Sequence, residues 1–123
     1  MHLFLIALGG AAGAVARYAA DGWVSSWTRA TFPWGTMAVN LSGSLLIGVL
    51  FALSVERDLL PADVRGPVMI GFVGAYTTFS TLMLESWRLA EDGAWLLVVA
   101  NLGGSVVLGL LAVVAGLAIG RAL

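Results

Sequence analysis

A chain of 123 residues that is 60% hydrophobic and 11% charged, with sixteen glycines, lies far from soluble globular composition and reads as an integral membrane protein. A net charge of −1 argues against nucleic acid as a partner, because neutralising phosphates needs a basic face. Without cysteine there are neither disulfides nor thiolate metal sites, and the single His2 cannot build a zinc cluster. The first predicted span covers residues 3–24. Ala14-Val15-Ala16 has the form of a small-residue cleavage site, but no basic stretch precedes the apolar Leu3 to Leu8, so the segment reads as a span and not as a leader. Gly9 and Gly13, one helical turn apart, mark a close helix contact. Arg17 has two readings: it snorkels to the headgroups, or it lends positive potential to a water-filled vestibule.

Ser25 to Pro33 reads as a short polar connection, and Trp23, Trp27 and Trp34 around it suit the membrane–water boundary. The second span, residues 34–55, carries Asn40, followed by Gly43, Ser44 and Gly48. An amide in apolar surroundings needs a partner, which is either a neighbouring helix or an anion that accepts its N–H groups. Glu56-Arg57-Asp58 ends the span, and Pro61-Ala62-Asp63 opens the third, residues 62–88. Gly66 to Leu84 is uncharged and long enough to cross a hydrocarbon core. Gly71-Phe72-Val73-Gly74-Ala75-Tyr76-Thr77-Thr78-Phe79-Ser80-Thr81-Leu82 nevertheless places glycines and hydroxyls at its middle, which predicts a helix broken near its centre. Those hydroxyls either bond back to the preceding turn or line a permeation or binding site.

The fourth span, residues 94–120, follows the turn Ala90-Glu91-Asp92-Gly93. It echoes the second: Asn40-Leu41-Ser42-Gly43-Ser44 with Gly48 matches Asn101-Leu102-Gly103-Gly104-Ser105 with Gly109. Duplication and independent selection for small packing residues both explain the match, and either way Asn101 and Ser105 become polar candidates on one helical face. Four spans put both termini on one side. Arg57, Arg65 and Arg121 then lie with the termini, and Arg17, Arg29 and Arg88 lie opposite, so no excess of positive charge fixes an orientation. Such a chain can insert both ways, and two copies can pair antiparallel about a two-fold axis.

Gly9-Gly10-Ala11-Ala12-Gly13-Ala14-Val15-Ala16-Arg17-Tyr18, Gly35-Thr36-Met37-Ala38-Val39-Asn40-Leu41-Ser42-Gly43 and Gly71-Phe72-Val73-Gly74 through Thr77-Thr78-Phe79-Ser80-Thr81 together resemble the Fluc (CrcB) fluoride channels. The resemblance spans all four helices and implies a single-domain, all-α, multi-pass protein of the bacterial inner membrane. It implies a dual-topology homodimer, bedded in lipid, that exports fluoride passively and holds a structural sodium ion at the dimer centre. By this resemblance Asn40, Phe79, Ser80, Thr81, Asn101 and Ser105 line the pore, Arg17 and Glu85 belong to the vestibule, and Gly74 and Thr77 offer backbone carbonyls to sodium. A phenyl edge carries positive quadrupole, so Phe79 can partly replace water around a small anion. Where the family has a second phenylalanine, three residues on, this chain has Leu82, whose side chain has no polarised edge.

Two other classes compete. A small dual-topology multidrug/proton antiporter needs a buried carboxylate in its first span, but that span has no glutamate, Asp21 is too close to its end, and Glu85 sits at the edge of the third span. A non-transporting membrane scaffold is the other alternative. An enzyme is not expected, since no nucleophile is paired with a base.

Overall fold

The computed structural model describes residues 1–123. It is all-helical, and four helices are long and apolar enough to cross a membrane: His2–Thr28, Trp34–Glu56, Ala62–Glu91 and Trp95–Ala122. The first is α1 (His2–Thr28); α2 (Trp34–Phe51) continues as a π-helical turn, Ala52–Glu56. The third span joins α3 (Ala62–Arg65), a π-helical stretch Gly66–Val73, α4 (Gly74–Tyr76) and α5 (Phe79–Glu91); α6 (Trp95–Ala122) is the fourth.

The end of the first helix and the interior of the third span differ from the sequence reading. The first helix runs on to Thr28, because the hydroxyls expected to start a connection instead bond back along the helix. Ser26 Oγ donates to the Trp23 carbonyl at 2.6 Å, and Thr28 Oγ1 to that of Val24 at 3.3 Å. The helix stops where Arg29 takes left-handed dihedrals (φ 42°). The π-helical stretch was not foreseen. Pro67 lies inside it, lacks an N–H, and crowds the carbonyl four residues before, strain that a wider turn relieves.

Glycine contacts assemble the spans. A Cβ on Gly9 would strike the Pro67 carbonyl oxygen and one on Gly13 that of Phe72, while the Ile6 oxygen lies 2.6 Å from where a Cβ on Gly71 would stand. Backbone therefore meets backbone between α1 and the π-helical stretch. Gly48 of α2 and Gly116 of α6 do the same for the second and fourth spans, with the Val49 nitrogen 3.0 Å from a Cβ on Gly116. Gly116→Val is expected to force these helices apart and cost about 1–3 kcal/mol, the usual penalty of overpacking. Thermal unfolding in detergent reads this, and an unchanged midpoint would show that the contact is not tight. The same helix pair is stitched at its end. Arg121 Nε and Nη2 donate to the two carboxylate oxygens of Glu56, both at 2.7 Å, and Arg57 Nη1 donates to the Gly120 carbonyl at 3.0 Å.

Candidate functional site

The polar centre of the chain lies where α4 gives way to α5. Thr77 (φ −81°, ψ 158°) and Thr78 (φ −150°, ψ 114°) are extended, and Asn40 of α2 holds them. Asn40 Nδ2 donates to the Thr78 carbonyl at 3.0 Å, and the Thr78 N–H donates to Asn40 Oδ1 at 2.8 Å, so one amide serves both backbone groups of one residue. Thr78 also caps α5. Its Oγ1 accepts from the Thr81 N–H at 3.3 Å and donates to Thr81 Oγ1 at 3.0 Å.

These bonds divert two donors. In an unbroken α-helix the Thr78 N–H would serve the Gly74 carbonyl and the Thr81 N–H that of Thr77. Here the first goes to Asn40 and the second to the Thr78 hydroxyl. The Thr77 hydroxyl does not compensate, since it donates to the Val73 carbonyl at 3.1 Å. Gly74 and Thr77 are thus left with hard carbonyl oxygens whose helical partners are engaged elsewhere, the donor chemistry an alkali cation takes.

Two clefts meet at this centre, and a third lies beyond it, where α5 passes the connection after α1. The largest, about 430 Å³, is lined by Asn40, Ser44, Gly74, Thr77, Phe79, Leu82 and Ser105 among others, and no charged side chain faces it. Phe79 is 74% exposed there, its ring unpacked by its own chain. A second cleft of about 310 Å³ brings Arg17, Asp21, Thr36 and Thr81 together, and Thr78 is the only residue it shares with the first. Glu85 lies in a third, of about 260 Å³, beside Arg88, so Arg17 and Glu85 do not share a cleft. Thr36 links them: it lines the second cleft and donates from Oγ1 to Glu85 Oε1 at 2.8 Å. Ser80 is exposed and lies 3.4 Å from Thr78 Oγ1.

Asn101 stands apart. Its residue is fully buried and lines none of the three clefts, and its Nδ2 donates at 3.0 Å to Ser86 Oγ, which in turn donates to the Leu82 carbonyl at 2.8 Å. Ser86, Thr36 and Tyr76, whose hydroxyl lies 2.9 Å from Ser42 Oγ, were not among the predicted site residues. Ser86 follows Leu82 at one-turn spacing, a signal for back-bonding that carried no hint of Asn101.

Comparison with known proteins gives one answer. Residues 4–117 match the family described as CrcB-like protein, Camphor Resistance (CrcB). The chain is 46% identical over 121 residues to the fluoride-specific ion channel FluC of Magnetococcus marinus, covering 98% of each chain. It is 49% identical over 120 residues to that of Hahella chejuensis (98% of this chain, 94% of the other) and 47% over 119 residues to that of Solidesulfovibrio magneticus (97% and 95%). With a family match over nearly its whole length and relatives this similar end to end, the chain belongs to the CrcB-like family.

Proposed function

We propose that this chain is the protomer of a fluoride-selective channel that exports fluoride passively across the bacterial inner membrane and confers fluoride resistance. The observation that carries the reading is the full-length similarity to relatives named fluoride-specific ion channels. The site's chemistry supports it. The largest cleft presents an amide, hydroxyls and an unpacked phenyl but no fixed cation that would trap a small anion, and Arg17 in the neighbouring cleft is offset there by Asp21. Asn40, Phe79, Ser80, Thr81, Leu82 and Ser105 are the residues we assign to the anion path, with Asn101 behind them and Arg17 and Glu85 at its mouths. In bacteria deprived of their own fluoride exporter, expression is expected to restore growth on fluoride, and continued sensitivity with protein present in the membrane would contradict the reading.

The working unit in this proposal is an antiparallel, dual-topology homodimer in lipid. Most of α1 and α6 is exposed within one chain, surface that lipid and a second copy would cover. The third span is read as a helix broken at Thr77 and Thr78, with the Gly74 and Thr77 carbonyls of both copies holding one structural sodium ion. Adding two lysines to the turn at Asp92 and Gly93 (φ 74°) is expected to force one orientation. Flux should then fall unless an oppositely biased copy is co-expressed, and a terminal reporter seeing one orientation for the unmodified chain would contradict dual topology.

A further inference from the structure

Ser86 fixes which way the buried Asn101 amide faces. The Ser86 hydroxyl spends its one proton on the Leu82 carbonyl at 2.8 Å, so towards Asn101, 3.0 Å away, its oxygen can only accept. The amide atom facing Ser86 is therefore Nδ2. Asn101 Oδ1 points elsewhere, at a residue exposure of 0%, and has no partner in the protein. One turn along α6, the Ser105 hydroxyl has no partner either. Both atoms are sealed inside a single chain, so neither lipid nor a second copy can reach them.

A buried carbonyl left alone costs about 1–3 kcal/mol. Such groups are nearly always satisfied, by ordered water where the protein offers nothing. The group that satisfies Asn101 Oδ1 must donate, which rules out an anion, and two neutral oxygens are too few for a hard cation. We propose that one buried water molecule bridges Asn101 Oδ1 and Ser105 Oγ at the α5–α6 interface, and that Asn101 acts on the cleft through this water. Proton counting gives the consequence. Water and the serine hydroxyl bring three O–H groups; one serves Asn101 Oδ1, one joins the two oxygens to each other, and one remains for the half-buried Ser105 side chain to turn towards the cleft it lines. Asn101 is then a positioning residue. It orients a donor for the path without touching the ion.

The effect on permeation rests on the fluoride reading; the water site does not. The test is a crystal structure of the intact protein at a resolution that shows ordered water, together with the thermal midpoint and fluoride flux of Asn101→Leu. We expect density within hydrogen-bond distance of both atoms in the wild type and none in the variant. The variant should unfold at a lower temperature and carry about tenfold less fluoride, the worth of one ordinary hydrogen bond. An empty site, or an Asn101 carbonyl turned onto a protein donor, overturns the proposal. So does a raised midpoint in Asn101→Leu, since that is what deleting an unpaired buried acceptor would produce. Unchanged flux would remove Asn101 from any role on the path. Should Asn101→Leu fail to fold, Ser86→Ala frees the amide to rotate, and the wild-type density still decides. Wild-type protein that carries no fluoride would sink the channel reading, with the site judged on density and midpoint alone.

Discussion

Asn40→Asp is expected to stop fluoride passage while the protein still assembles. The aspartate keeps an acceptor for the Thr78 N–H but loses the N–H that holds the Thr78 carbonyl at 3.0 Å. It also sets a negative charge in a cleft that has none. Two like charges about 4 Å apart repel by on the order of 4 kcal/mol at a near-surface dielectric, so flux should fall more than a hundredfold. Asn40→Leu separates the two causes. It removes the clamp without adding charge, and it frees the Thr78 N–H to return to the Gly74 carbonyl. Efflux from liposomes, with assembly checked by gel filtration, reads both variants. Wild-type flux in Asn40→Asp would take Asn40 off the path.

Exhaustive exchange of sodium for a bulky organic cation is the second large perturbation, and both dimer stability and flux are expected to collapse. The reasoning starts from the two diverted donors. Asn40 takes the Thr78 N–H and the Thr78 hydroxyl takes that of Thr81, so the Gly74 and Thr77 carbonyls must find other partners at membrane depth. Two chains related by a two-fold axis would bring four such oxygens to one point, and a hard cation there offsets their mutual repulsion. Because the same clamp frees the Gly74 carbonyl, Asn40→Leu should also weaken sodium binding. Unchanged association and flux after sodium removal would mean that the carbonyls are satisfied without an ion.

Hydrophobic runs alone located the four spans, since sixty per cent apolar content leaves few places for the loops. Their ends were harder to read, because a serine or threonine after an apolar run either starts a loop or bonds back along the helix. At Ser26 and Thr28 the second option won. The π-helical stretch was invisible, because the helix start was read at Pro61-Ala62-Asp63 and Gly66 only as the beginning of the uncharged run. Asn40 and Asn101 show where reading by residue type reaches its limit. The two sit in matching Asn-Leu-x-Gly-Ser segments and looked equivalent. Yet Asn40 clamps an extended backbone beside an open cleft, and Asn101 is wholly buried against a hydroxyl. The difference comes from the partner helix. Thr78 presents its backbone N–H and carbonyl to α2, whereas Ser86, two turns on in a regular helix, presents only a side chain to α6.

Anion efflux from liposomes containing the purified protein, followed with fluoride- and chloride-selective electrodes, tests the central claim most directly. A neutral, donor-lined path with an unpacked phenyl edge and no fixed cation predicts rapid fluoride release and chloride retained at the level of protein-free vesicles. Chloride leaving as readily as fluoride, or neither ion leaving while a control channel empties its vesicles, would contradict it.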